Sequence, residues 1–148
     1  ISHFGFSLLI LSIILNGIFS SEISTNIKVG EKYKFKHGII YFEEVKNFKK
    51  QNYISVVTTF RIKEDNKKEI FLKPELRIFN QPENITSEAD IKINFFSDKF
   101  LVVNLVKGNE YYNIKYQTKP FMIWIWLSTI ILASGGLINF FQRKLNEK

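Results

Sequence analysis

Two histidines are the residues of this sequence best suited to redox or metal chemistry. His3 opens an apolar segment, where an ionisable group is costly and commonly has a function. Its neutral imidazole could be an axial ligand of haem iron. The alternative is a histidine that reaches the membrane interface and binds nothing. His37 precedes Gly38 in a predicted turn, so we interpret it as a surface residue.

Other catalytic chemistry has little support in the sequence. There is no cysteine, which excludes thiol redox chemistry, disulfides and thiolate metal sites. Glu43 and Glu44 are adjacent, so on a strand they point to opposite faces and cannot act as a dyad. We interpret Glu75, Arg77 and Glu88 as a structural ion-pair cluster. A haem held by His3 would need its second axial ligand from outside this chain.

Charge is strongly segregated along the chain. Asp, Glu, Lys and Arg are absent before Glu22 and between Lys119 and Arg143. This pattern predicts membrane spans at 1–21 and 120–141, a polar domain at 22–119 and a basic tail at 142–148. A cleaved signal peptide is the alternative for the first span, but the segment lacks a basic start and a good cleavage site.

The second predicted span has recognisable features of a membrane helix. Pro120 suits a first helical turn, and Trp124 and Trp126 are placed like an aromatic belt at the outer headgroups. Gly135 and Gly136 would let another helix approach closely. The alternative reading of the two glycines is a loss of bulk on a lipid-facing helix.

The net charge of +7 does not indicate a nucleic-acid partner. The lysines alternate with acids, as in residues 63–69, which is typical of a solvated surface. The basic tail at 142–148 lies beside a span, so the positive-inside rule puts it on the inner side. With two spans, the N-terminus is also on the inner side and residues 22–119 face outward.

The middle region is predicted to be a small antiparallel all-β domain, a meander closed as a barrel or a sandwich. The predicted strands are 31–36, 39–45, 53–62, 69–72, 99–106 and 111–117. Turns are expected at His37-Gly38, Asp65-Asn66 and Gly108-Asn109. Pro74 fits a strand edge or a bulge because it cannot donate to a central ladder. We expect the polar residues 81–90 to be irregular.

Several blocks of residues resemble one known family, the CcmF-type cytochrome c haem lyases, over almost the whole chain. His3-Phe4-Gly5-Phe6 resembles a histidine-glycine start of a span. Residues 119–127 followed by Gly135-Gly136 resemble the closing "KPxxxWIW…GG" span of the family. Shorter resemblances are an "L-x-P-E-x-R" strand at Leu72, Pro74, Glu75 and Arg77, and a "TEAAI"-type segment at Thr86, Glu88, Ala89 and Ile91.

The sequence also departs from this family. Lys99 stands where the family tends to have Leu, Ser128 replaces a usual glycine, and Ser87 is inserted. The family's tryptophan-rich haem-handling segment and its other histidines are missing. Because the sequence also begins in mid-pattern at Ile1, we expect it to be the last part of a lyase, through truncation or a split gene, and inactive alone.

The resemblance implies a role in cytochrome c maturation. The family member would take haem from a haem chaperone and attach it to the Cys-x-x-Cys-His motif of apocytochrome c. The resemblance also implies a resident haem b between membrane histidines, with His3 as one ligand of the haem iron. The implied partners are the membrane, the haem chaperone, apocytochrome c and other parts of the complex, in a bacterial or mitochondrial inner membrane. The alternative function is a membrane-anchored β-domain that acts as a non-enzymatic binding or scaffold module.

Overall fold

The computed structural model describes residues 1–65, 67–80, 82–106, 108 and 110–146. Two apolar helices flank a series of antiparallel strands. In chain order the elements are α1 Ser2–Phe19, β1 Ser21–Ile27, β2 Lys32–Phe35, β3 Gly38–Lys49, β4 Tyr53–Glu64, β5 Ile70–Leu72, β6 Glu75–Asn80, β7 Glu83–Glu88, β8 Asp90–Lys92, β9 Ser97–Leu105, β10 Tyr112–Pro120 and α2 Met122–Asn146. Two compact units result: a helix unit of Ile1–Ser21, Ile93–Asp98 and the chain from Thr118 onward, and a β unit of Glu22–Lys92 and Lys99–Gln117.

Both helices are long and apolar enough to cross a membrane, over Ser2–Phe19 and Met122–Gln142. α1 ends where Ser20 adopts an extended conformation. α2 begins directly after Phe121, which has a positive φ of 60°. That conformation is uncommon for a side chain other than glycine, and it turns the end of β10 sharply into the helix. The backbone N–H of Trp124 then donates to the Phe121 carbonyl at 3.1 Å.

The two helices pack against each other through small residues. A Cβ added at Gly5 would lie 2.7 Å from the backbone nitrogen of Leu132, and a Cβ at Gly135 would overlap Ser2. Close approach of this kind depends on residues without bulky side chains. The expectation of close packing is therefore confirmed for Gly135, whereas Gly136 has no heavy atom of another residue within 4 Å of its ideal Cβ position in the described chain.

The helices run antiparallel. The start of α1 lies against the second half of α2, where Ser2 meets Gly135. The end of α1 lies at the beginning of α2, where the Asn16 side-chain amide donates to the Pro120 carbonyl at 2.5 Å. Ser128 is fully buried and donates to its own helix at Ile125 O, 2.9 Å away.

The β unit consists of two sheets. One has the strand order β1-β10-β9-β8 and the other β2-β3-β4-β6-β7, with β5 also paired to β4. The core lies between them, because the fully buried apolar side chains come from both. They are Ile27, Leu101, Val103, Ile114 and Tyr116 from the first sheet, and Ile40, Phe42, Val56, Phe60, Ile62, Leu72 and Leu76 from the second. Two sheets over one core form a sandwich.

The antiparallel all-β prediction is confirmed, and so is the exposed turn at His37. Pro74 lies in the gap between β5 and β6, where its carbonyl accepts from the Thr58 N–H at 3.0 Å. Of the expected turn and loop residues, Gln81, Asn66 and Asn109 lie outside the described part of the chain.

Several elements differ from the prediction. β1, β6, β7 and β8 lie outside the predicted strand ranges, and Pro120, expected in a first helical turn, is the last residue of β10. The segment expected to be irregular contains β7, in register with β6 through pairs such as Ile78↔Ile85. β1 was not predicted, and it pairs with β10, so the first and last strands are neighbours. β7 is polar and largely exposed. It is held by backbone hydrogen bonds to one neighbour, so it needs no apolar alternation. β1 does alternate, with Ile23 half-buried and Ile27 in the core.

A buried ion pair crosses the β unit beside the core. The Lys99 ammonium lies 2.5 Å from a Glu64 carboxylate oxygen, and the two side chains are only 7% and 10% exposed. The Tyr116 hydroxyl donates to the same oxygen at 2.8 Å. Burial acts to raise the pKa of Glu64, but hydrogen bonds from Lys67, Lys99 and Tyr116 outweigh it and lower that pKa to about 2. Burial lowers the pKa of Lys99, and the pair with Glu64 opposes that shift.

Gly5→Ala should destabilise the helix pair, although alanine is the better helix former. The new methyl group would meet the Leu132 backbone, which cannot rotate away, and overpacking costs about 1–3 kcal/mol. Gly17→Ala is the matched control, because a Cβ there meets nothing within 4 Å, and it should gain up to about 1 kcal/mol of helix propensity. Thermal unfolding of the detergent-purified chain measures both. Equal stability of the two variants would contradict the close approach.

Glu64→Gln should destabilise the β unit by about 3 kcal/mol, because it removes the carboxylate charge that pairs with the buried Lys99 ammonium. The measurement is chemical denaturation of the full chain, followed by the circular dichroism of the sheets. Lys28→Met is the control, since its partner Glu110 is 89% exposed, and removal of that surface pair should cost less than about 1 kcal/mol. A loss no larger than the control's would show that the Glu64–Lys99 pair contributes nothing.

The same carboxylate predicts an acid-labile contribution to stability. Because folding lowers the pKa of Glu64 from 4.5 to about 2, its contribution is present above the higher value and is lost as the pH falls towards the lower one. Unfolding free energies measured between neutral and acidic pH should show a steeper acid loss in the native chain than in Glu64→Gln. Parallel pH profiles would exclude Glu64 as the origin.

Candidate functional site

A cleft of about 320 Å³ lies at the end of the helix pair where α1 begins. Ser2 and Gly5 face α2. His3 follows Ser2, and each residue turns an α-helix by about 100°, so His3 lies at the edge of the contact between the two helices. His3 is exposed. The cleft is lined by Ile1, Ser2, His3, Gly135, Ile138, Asn139 and Gln142.

The His3 imidazole has the properties of an available ligand. Within the described chain its ring makes no hydrogen bond, and only its backbone carbonyl is engaged, by the Ser7 hydroxyl at 3.0 Å. A nitrogen lone pair of a neutral imidazole is a good ligand for haem iron. The geometry therefore fits one axial position.

The same cleft does not complete an iron site. Its other lining residues are not the histidine, methionine, cysteine or tyrosine that ordinarily bind haem iron. Among the residues that the structure describes, no three His, Cys, Asp or Glu side chains cluster as a metal site. His37 lies in an exposed turn of the β unit. A haem at His3 thus requires a ligand from another chain or segment.

Two further residues that line this cleft were not predicted from the sequence. Asn139 and Gln142 line it together with His3, and they are spaced three apart, which puts them on one side of α2. Polar side chains are costly in an apolar helix and usually have a task there. That rule, applied to amides as well as to histidine, would have indicated them.

The carboxylates serve as ion pairs in the structure. Glu43 contacts Arg61 at 2.5 Å and Glu44 contacts Lys46 at 2.7 Å, so the two adjacent residues have separate partners. A hydrogen bond from Lys46 lowers the pKa of Glu44. At neutral pH this carboxyl group is a charged partner, and it holds no proton to donate as an acid.

The predicted cluster of Glu75, Arg77 and Glu88 also forms. Arg77 lies 3.2 Å from Glu75 and 3.3 Å from Glu88 across β6 and β7. The hydrogen bond from Arg77 lowers the pKa of Glu75. The Arg77 guanidinium also lies 5.6 Å from the centre of the Tyr53 ring. The cluster ties neighbouring strands together, which is the structural role expected of it.

Known proteins resemble this chain throughout its length. The model of the "CcmF C-terminal beta-sandwich" matches residues 18–120. The "Cytochrome c-type biogenesis protein CcmF" of Pseudomonas fluorescens is 26% identical over the whole chain, which spans 22% of that protein. The protein of the same name in Escherichia coli strain K12 is 25% identical over 99% of the chain and 23% of its own length.

A solved structure has the same fold. The "Cytochrome c Heme Lyase CcmF" matches with a TM-score of 0.67 over 92% of this chain and 23% of the other, at 17% sequence identity. The chain spans less than a quarter of these relatives. The family model covers more than half of the chain, including every strand of the sandwich. The chain therefore belongs to the CcmF C-terminal β-sandwich family.

Proposed function

We propose that this chain is the C-terminal, membrane-anchored part of a haem lyase for cytochrome c maturation. The observation that carries the proposal is the family match over residues 18–120, set between two helices that are long and apolar enough to cross a bilayer. The relatives are named cytochrome c-type biogenesis proteins. In this role the complete lyase takes haem from a haem chaperone and attaches it to apocytochrome c.

Both helices cross the membrane in this proposal. The 18 residues of α1 extend for about 27 Å, close to the thickness of the hydrocarbon layer. Antiparallel pairing puts Ile1 and the end of α2 on one side of the bilayer. The basic residues that follow Phe141 in the sequence favour the inner side. Residues 22–119 are then on the outer side, which is the periplasm or the intermembrane space.

His3 is one axial ligand of a haem b in the proposed complex. The support is its exposed imidazole beside the cleft between the inner ends of the helices. The second ligand comes from another segment or subunit. The bound group would supply electron transfer to the incoming haem iron, while this chain's part is to present one imidazole at the start of α1.

The β-sandwich acts as a docking surface in the same proposal. It contains one core and several exposed ion pairs, and the acidic groups described above are engaged by basic partners. It is therefore better suited to protein contact than to acid–base catalysis. The haem chaperone and apocytochrome c are the partners we assign to it. The alternative role is a scaffold module that binds no haem.

Replacement of His3 decides between the ligand role and the scaffold role. In the membrane complex purified with this chain, His3→Ala should remove the haem b absorbance of the reduced spectrum. His37→Ala is the matched control, because it removes the other histidine from an exposed turn of the β unit, and it should leave the haem unchanged. The measurement is haem content per complex, together with the yield of mature cytochrome c.

The same experiment can also exclude the ligand role of His3. An unchanged haem b spectrum in His3→Ala, with the complex intact, would exclude His3 as a ligand. If the yield of cytochrome c also stayed normal after deletion of the whole chain, the maturation role itself would be wrong.

A further inference from the structure

The loop between β8 and β9 carries large apolar side chains that are exposed on the surface of the helix unit. Ile93, Phe95 and Phe96 are 67%, 53% and 64% exposed. Loop tips on a protein surface are ordinarily polar. Exposed apolar side chains that lie together indicate an interaction surface.

The loop that exposes these side chains is held by hydrogen bonds between its own residues. The Asn94 backbone N–H donates to a buried Asp98 carboxylate at 3.0 Å, and the Asn94 amide donates to the Ser97 carbonyl at 3.4 Å. The rings of Phe95 and Phe96 meet edge to face, with centroids 5.0 Å apart. The loop holds its apolar side chains outward by its own hydrogen bonds.

The same loop is fastened to the first turn of α2. The Phe121 N–H donates to the Phe96 carbonyl at 2.9 Å. The Trp124 indole N–H donates to the Phe95 carbonyl at 3.1 Å, and the Phe95 and Trp124 rings lie 5.0 Å apart. Ile93–Asp98 accordingly belongs to the same compact unit as the two helices. The depth of the loop in any membrane is therefore the depth of the start of α2.

The chemistry of this surface fits lipid headgroups. Trp124 and Trp126 belong to the first turns of α2, and tryptophan is enriched where hydrocarbon meets the headgroups. Residues 93–97 carry no charge, and Lys92 before them is exposed and could meet lipid phosphates. Apolar rings next to an indole belt gain by leaving water for the upper acyl chains.

We propose that residues 93–96 form an interfacial wedge that inserts into the outer leaflet beside α2. This inference rests on the proposed membrane crossing of α2. The wedge gives the chain a third membrane attachment besides its two spans, and it is made from the middle of the β-domain sequence. A neighbouring protein segment is the competing occupant of this surface.

Spin labels in the full chain test the wedge, since the chain has no cysteine of its own. Single cysteines replace Ile93 and Phe96 in the loop, Ile130 in the middle of α2 and Phe71 on β5. Ile130 is the reference for a lipid-facing site, being 66% exposed, and Phe71 is the matched aromatic control, being 53% exposed. The chain is reconstituted in vesicles of phosphatidylcholine and phosphatidylglycerol, and collision rates with oxygen and with a water-soluble nickel chelate are measured.

Labels at residues 93 and 96 should collide more often with oxygen than with the nickel chelate, and Phe71→Cys should show the reverse. A nickel-dominated result at 93 and 96, with Ile130→Cys still dominated by oxygen, would overturn the wedge while leaving the membrane crossing intact. A nickel-dominated result at Ile130→Cys would instead overturn the proposed crossing. A photoreactive phenylalanine analogue at Phe96 in native membranes should form lipid adducts, and a protein adduct as the main product would also overturn the wedge.

Discussion

The close contact of α1 with α2 is the constraint on which the arrangement of the chain depends. Gly5 and Gly135 have no side chain, so the backbone of each helix approaches the other. The approach fixes an antiparallel pair, which brings the end of α1 to the start of α2 at Asn16 and Pro120. The chain continues from these two points into β1 and out of β10, and those strands are neighbours in one sheet.

In the β unit the main constraint is the burial of a charged pair. Lys99 is buried, and a lone ammonium in that place would be severely destabilising. Glu64 and Tyr116 surround it with an ion pair and a hydrogen-bonded hydroxyl. The carboxylate is ionised because several donors converge on it, despite its burial. The unit accommodates the buried charge through one cluster, while an ordinary apolar core fills the rest.

In the described helix unit, polar side chains other than serine and threonine lie at its two ends. His3, Asn139 and Gln142 line the cleft at one end. At the other end, Asn16 donates to the Pro120 carbonyl. The next residue, Phe121, donates to the Phe96 carbonyl in the loop of residues 93–98. Between the ends, hydroxyl groups donate to their own helices, as those of Ser12 and Ser128 do, so that polar groups are satisfied internally, as a bilayer requires. The proposed haem ligand is on the inner end, and the proposed lipid wedge is on the outer end.

Much of this architecture could be read from the sequence. The charge-free stretches, the alternation in the core strands and the family motifs depend only on local composition, so they predicted both apolar helices, the all-β region and the family. β7 was missed because its polar side chains carry no apolar alternation, and its pairing with β6 makes it a strand. β1 alternates through Ile23 and Ile27, but it follows directly on the apolar helix, and its pairing with β10 is a contact distant in sequence. The choice between barrel and sandwich was open for the same reason, since it depends on which edges meet.

The sequence by itself determined which residue types this chain offers: one histidine at the head of an apolar helix, no thiol and two separated apolar segments. Tertiary structure decided which of them come together. It distinguished Gly135, in contact with α1, from Gly136, which meets open space, although the two are identical and adjacent. It also placed Asn139 and Gln142 beside His3 and joined Phe95 to Trp124. Such contacts join residues far apart in the chain, and no local pattern specifies them.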